Sequence, residues 1–175
     1  SVTDTLAATS TRHWTGKVQP LTGSIKVDDM TCQMLGAPAP VYETIAATSE
    51  ATPQACRLTM KKPADNWYSE GFKEHGWTAG QLPITSASGV WTTRDVWVRR
   101  EFEWNGGTPH QLLLQLHHDD DAEVYLNGQK IFSCAPCYNG GYENIALQAI
   151  QQKALRPGKN LLAFHCPNTG GPGTI

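Results

Sequence analysis

A chain of 175 residues with a net charge of −2, 39% hydrophobic and 17% charged, has material for one ordinary domain with a real core, or one domain plus a packed extension. No Lys/Arg run is present, which argues against an electrostatic grip on nucleic acid or an anionic membrane. No apolar stretch approaches the ~20 residues a membrane-spanning helix needs.

The first eleven residues are polar and lack the basic start and apolar middle of a signal peptide. With no initiator methionine, the expectation is a mature or trimmed product. Turn signals are dense, with 16 Gly and 11 Pro, and short alternating segments lie between them, as in an all-β fold. Residues 24–27 and 30–35 read as a pair of strands around Asp28-Asp29. Residues 36–55 read as a connection. Cys56, Leu58 and Met60 alternate with Arg57, Thr59 and Lys61 and predict a strand. Residues 63–89 read as a long ordered loop pinned by Trp67, Phe72 and Trp77.

Residues 96–104 form the next predicted strand. Arg100 falls on the face of Val98, Phe102 and Trp104, which requires either a bulge or a buried, paired cation. Leu112, Leu114 and Leu116 mark the apolar face of a further strand, and Ala122, Val124 and Leu126 mark another. Asn127-Gly128 then supplies the positive φ angles of a type I′ turn, so 129–132 returns as the second arm of a hairpin. Leu147, Ile150, Ala154 and Leu155 sit at helical spacing, stopped by Pro157-Gly158. A final strand over 160–166 places Leu162, Phe164 and Cys166 on one face. The expectation is a mostly β fold: an antiparallel β-sandwich with one short helix.

The sequence DDDAEVYLNG at 119–128, followed by LRPGKNLLAFHC at 155–166, resembles the galactose-binding-like jelly roll, which accompanies many glycoside hydrolases, including the sugar-binding domain of family 2. A second likeness covers nearly the whole chain. TRHWTGKVQPLTGSIKVDD at 11–29, KPADNW at 62–67, WTTRDVWVRREF at 91–102 and HCPNTGG at 165–171 are similar to the N-terminal region of bacterial glutaminase A-like proteins. The chain departs from that family in having Asp28-Asp29 for Asp-Gly, and in carrying Cys134-Ala135-Pro136-Cys137. The family's pattern also runs on into a further strand past Gly171, whereas the sequence ends at Ile175. The resemblance implies a segment 1–55 whose hairpin packs on a galactose-binding-like sandwich over 56–175. It also implies a partner, a C-terminal helical-toroid catalytic domain, and a secreted or periplasmic location.

Five cysteines, Cys32, Cys56, Cys134, Cys137 and Cys166, cannot all pair within the chain. Cys134 and Cys137 have redox-motif spacing. The residues after them, Tyr138-Asn139-Gly140-Gly141, do not start the helix a thioredoxin-like site needs. A local disulfide, free thiols, and a zinc site completed by His165 or Cys166 stand as readings of the pair. Cys166, on the apolar face of a core strand, is expected to be a buried free thiol.

His117, His118, Asp119, Asp120 and Asp121 form the densest polar cluster. Such a run offers oxygen ligands for Ca²⁺ or contacts for sugar hydroxyls. The alternative is a strand-end turn whose carboxylates cap backbone N–H groups. Trp91, Trp97, Tyr138 and Tyr142 could form a sugar-stacking platform beside it, or serve as core and loop anchors. Neighbouring carboxylates in one turn do not make a glycosidase pair, which needs two carboxyls facing each other ~5–10 Å apart. No nucleophile-elbow or metalloprotease motif is present.

These observations predict a non-catalytic N-terminal module of a larger glutaminase A-like hydrolase, supporting its catalytic domain. The alternative is an independent carbohydrate-binding module of a glycoside hydrolase.

Overall fold

The structure, a computed structural model, describes residues 42–175 and two short strands before them. The predicted strands over 24–35, and Cys32 with them, lie outside the described residues. The chain divides into two compact units, 1–43 and 44–175. In the first, β1 (Leu6–Ala7) pairs antiparallel with β2 (His13–Trp14).

The second unit is an antiparallel β-sandwich of the jelly-roll-like kind. Its larger sheet contains β3 (Gln54–Thr59), β4 (Thr78–Leu82), β5 (Asp95–Trp104), β7 (Ala122–Leu126), β8 (Gln129–Cys134) and β10 (Gly158–Pro167). The order across it is β4-β3-β5-β10-β7-β8. β6 (Leu113–Leu116) and β9 (Glu143–Ala146) pair as a separate two-stranded sheet. Between the two sheets lies one core of Leu58, Val96, Val98, Leu114, Leu116, Val124, Leu126, Phe164 and Cys166 among others. Alternation places these residues inward, as the sequence predicts. Leu112 and Leu162 are half-buried and pack at its margin.

The outer face of the larger sheet is also covered. Trp97, Tyr125 and Ala163 are buried there with Trp67 and Trp77, and Tyr68 and Phe72 pack against them. The segment before β4 therefore lies over the sheet as a second hydrophobic layer. Arg99, only 3% exposed, anchors that layer. Its guanidinium donates to the backbone oxygens of Trp67 and Ser69 and pairs with Glu74 at 2.7 Å.

Arg99, rather than Arg100, is thus the buried, paired cation. The β5–β10 register runs unbroken from Trp104 opposite Gly158 to Asp95 opposite Pro167, so no bulge intervenes. Arg100 is half-buried and donates to the Ala47 carbonyl at 2.6 Å and to Gln54 Oε1 at 2.8 Å.

The Asn127-Gly128 turn forms as expected, with φ of 50° and 86°, and it joins β7 to β8. The helix is shorter than the spacing suggests. α1 (Ala149–Gln152) is a single turn. Leu147 precedes it and hydrogen-bonds through its N–H to the Leu112 carbonyl. Residues 63–89 are not all loop either, because β4 lies within them. Gly80 on β4 lies close under Leu58 of β3: a Cβ there would sit 2.3 Å from Leu58 Cδ2, so that side chain would have to move.

Candidate functional site

Residues 117–121 leave β6 and enter β7, and two other segments are tied to this turn. From the C-terminal segment, Thr174 exchanges two backbone hydrogen bonds with Asp119. Asp120 Oδ2 accepts from the Thr169 N–H and hydroxyl at 2.5 and 2.6 Å and from the Gly170 N–H at 3.0 Å. From the loop after β8, Cys137 N–H donates to Asp121 Oδ1 at 3.0 Å. Asn139, buried, receives the His118 N–H on its Oδ1 and donates from its own N–H to the His118 carbonyl. The carboxylates of Asp120 and Asp121 thus act as caps for backbone donors, as carboxylates in turns commonly do.

These bonds set the charge state of the turn. Donation from Thr169 and Gly170 holds the Asp120 carboxyl below its ordinary range. Asp119 is pushed the other way, first by desolvation and then by its acidic neighbour Asp120. His118 is buried, and its Nδ1 lies 2.6 Å from the Asp120 carbonyl, so Nδ1–H is the donor there.

Asp120, Asp121, Pro136, Cys137, Tyr138 and Thr169 surround an open pocket of about 310 Å³. Cys134 and Cys137 are joined by a disulfide at its lip, which removes both sulfurs from any zinc site. Cys56 and Cys166 are free and buried. Among the described residues, no three His, Cys, Asp or Glu side chains are grouped to hold a metal ion.

The other candidates lie elsewhere. Trp91 is 2% exposed, in the main core, with its indole N–H buried and unpartnered among the described residues. Its ring packs so closely on Gly173 that a Cβ there would sit 2.7 Å away. Trp97 is 7% exposed under the outer layer. Neither tryptophan presents a face to solvent, so the aromatic platform reduces to Tyr138. Tyr142 shares a hydrogen bond with Ser49 Oγ at 2.6 Å, and its ring lies 5.5 Å from that of His117. That pair does not line the pocket.

Sequence reasoning missed Thr169 and Pro136 as pocket walls. The turn signal Asn168-Thr169-Gly170-Gly171 was visible, but not its return to Asp120. It also missed a polar group on the outer sheet face. His165 stacks on Trp97 with ring centroids 4.7 Å apart, and its Nε2 is 2.9 Å from Asp95 Oδ1. Glu123, opposite His165 on β7, pairs with Lys130 at 2.5 Å.

No family model and no curated protein matches this chain. Solved structures do share its fold. A glycosyl hydrolase family 2 member from Bacteroides cellulosilyticus DSM 14838 aligns over 67% of this chain, with TM-score 0.50 and 16% identity. The β-glucuronidase of Bacteroides uniformis aligns over 67%, with TM-score 0.52 and 20% identity. The fold is a β-sandwich that occurs in glycoside hydrolase family 2 proteins. The matched region spans 17% of the first of those chains and 14% of the second. Neither of them is a glutaminase.

Proposed function

We propose that this chain is a non-catalytic β-sandwich module of a larger glycoside hydrolase, packing on and supporting a separate catalytic domain. One observation carries the reading. The fold match takes in two-thirds of this chain but only 14–17% of the family 2 chains, a domain-sized piece of much longer proteins. The polar cluster supports it too, because Asp120 and one oxygen of Asp121 are spent on holding loops together. An oxidising compartment outside the cytoplasm suits the Cys134–Cys137 disulfide.

A second reading keeps the module but gives it a glutaminase A-like parent. Three of the segments behind that resemblance meet on the outer sheet face. Trp67, Trp97 and His165 lie together there, with ring centroids 6.4 Å apart for Trp67–His165 and 4.7 Å for Trp97–His165.

The reading frame that encodes the chain separates these proposals. A continuation into a glycoside hydrolase catalytic domain upholds the first, and a helical-toroid domain upholds the second. A frame with no hydrolase domain overturns both. The purified chain is expected to turn over neither chromogenic glycosides nor glutamine. Turnover that a point substitution in the chain abolishes removes the non-catalytic assignment.

A further inference from the structure

The pocket beside the 117–121 turn has a composition that selects its ligand. At about 310 Å³ it lies at the small end of the range for small-molecule sites. Tyr138 is 74% exposed, more than any other large hydrophobic side chain among the described residues. Leaving such a ring in water is unfavourable, and nothing in the sandwich packing requires it.

The loop that presents the ring is held on both sides. Before it, the Cys134–Cys137 disulfide and the Cys137 N–H to Asp121 bond fix the chain. After it, Asn139 is locked to His118 and to the Leu116 carbonyl. Tyr138 itself bridges to Asp119. A ligand stacking on this ring meets a surface already ordered, so little entropy is lost on binding.

The remaining hydrogen-bonding capacity is mostly that of acceptors. Asp121 spends Oδ1 on the Cys137 N–H, and among the described residues its Oδ2 makes no hydrogen bond. The Thr169 hydroxyl donates to Asp120 and keeps its lone pairs. Apart from the Tyr138 hydroxyl, which can donate or accept, the pocket offers acceptors, and it favours a ligand that brings donors. No Lys or Arg lines it, while two carboxylates do, so an anionic ligand is repelled. A divalent cation is also poorly served. Ca²⁺ takes about six to eight oxygens, and the carboxylate oxygens here are partly consumed by N–H groups.

We infer that the pocket between Tyr138, Asp121 and Thr169 is a subsite for a non-anionic saccharide unit. The C–H face of the sugar ring lies on Tyr138, and its hydroxyls donate to Asp121 Oδ2 and Thr169 Oγ1. The same electrostatics reject a uronic acid. The choice of a saccharide over other polyols rests on the glycoside hydrolase reading above; the position and charge preference of the site do not.

The test is an amide NMR titration of the full 175-residue chain. The probes are cellobiose, lactose, diacetylchitobiose, glucosamine, glucuronic acid, and CaCl₂ alone. At least one neutral or amino sugar is expected to shift the amides of residues 137, 138, 169 and 170, with Kd on the order of 0.1–1 mM. Tyr138→Ala, at an exposed position, should keep the spectrum of the fold and weaken binding about tenfold or more. Glucuronic acid should leave the amides unmoved at the same concentrations. The inference is overturned if no sugar in the panel binds or if shifts map elsewhere. It is equally overturned if Tyr138→Ala binds as well as the parent, if glucuronic acid binds as tightly, or if only CaCl₂ moves these amides. A positive titration in a chain whose reading frame encodes no hydrolase domain keeps the subsite and removes the accessory-module reading. A negative titration beside a hydrolase domain does the reverse.

Discussion

Asn127 Nδ2 donates to Asn160 Oδ1 over 2.7 Å, and this bond joins the β7–β8 turn to the start of β10. Asn127 also donates to the Ala154 carbonyl and accepts from the Leu161 N–H. Asn160 in turn donates to the carbonyls of Arg156 and Gly158. One pair of amides thus satisfies the backbone where the hairpin, the helix exit and the last strand converge. Buried backbone groups left without partners are costly.

Asn160→Ala should therefore destabilise the fold by about 3 kcal/mol, because it strands several buried partners at once. Asn127→Gly should cost less, since glycine tolerates the positive φ at that position. Urea denaturation of the two variants checks the order. Equal stability losses would show that Asn127 is held for its side-chain bonds more than for its backbone.

Arg99→Met should lower stability by about 3–5 kcal/mol. It leaves the carbonyls of Trp67 and Ser69 without their donor and Glu74 without its closest cation. Arg99→Lys should recover only part of the loss, because an ammonium cannot reproduce the guanidinium fork. Tryptophan fluorescence should red-shift in both variants as the 63–77 layer loosens over Trp97. An unchanged emission maximum would show that the layer does not depend on Arg99.

Much of the sandwich was legible because burial follows period-two alternation. Val98, Leu114, Val124 and Phe164 face inward where the pattern puts them. β4 and β9 were not legible. They are short, carry few apolar residues, and take their strand geometry from a neighbour's ladder. Trp97 looked available for a ligand because periodicity on one strand says nothing about a distant segment folding over it. The site was half legible. The run at 117–121 stood out as polar, but its partners Thr169 and Cys137 come from other loops, and no local spacing announces that meeting.

Trp97→Ala should cost about 3–5 kcal/mol of stability, as removal of a buried tryptophan commonly does. Saccharide affinity of the folded fraction should not change. Tyr138→Ala should show the opposite behaviour, with stability close to the parent and affinity lost. Thermal melts and titrations on the same two variants give the four numbers. Loss of affinity in folded Trp97→Ala would place the binding surface on the outer sheet face instead.

Asp119 and Asp120, adjacent in the chain, should titrate in opposite directions from an ordinary aspartate. Hydrogen bonds from Thr169 and Gly170 lower the one, and desolvation raises the other. The depressed Asp120 contributes stability above the unfolded aspartate range and loses it as pH falls through its folded value. The raised Asp119 works against folding while ionised and stops doing so once protonated. Carboxyl-carbon NMR across acid pH should show Asp119 protonating first. In the Thr169→Ala variant Asp120 should move up towards Asp119. A single shared midpoint in the parent chain would refute the assignment of the Thr169 bonds to Asp120.

The buried thiols set the alkaline limit. Burial pushes Cys166 up to about 12 and Cys56 to about 11. Both lie above the 9.0 of an ordinary cysteine thiol. Folding therefore favours the protonated thiol. That stability is fully present below about pH 9 and is lost as pH rises towards the folded values, because the unfolded chain ionises first. Three outcomes follow. In native protein at mildly alkaline pH, Cys166 should resist a thiol-specific disulfide reagent and react only after denaturant is added. Cys166→Ala should be less stable at pH 7, from the small void it leaves, yet its stability should fall less between about pH 9 and 11 than that of the parent. Peptide mapping without reductant should find Cys134 joined to Cys137 and Cys166 alkylated only after unfolding. Rapid native labelling of Cys166, or an alkaline slope unchanged by Cys166→Ala, would show that this strand opens to solvent well short of global unfolding.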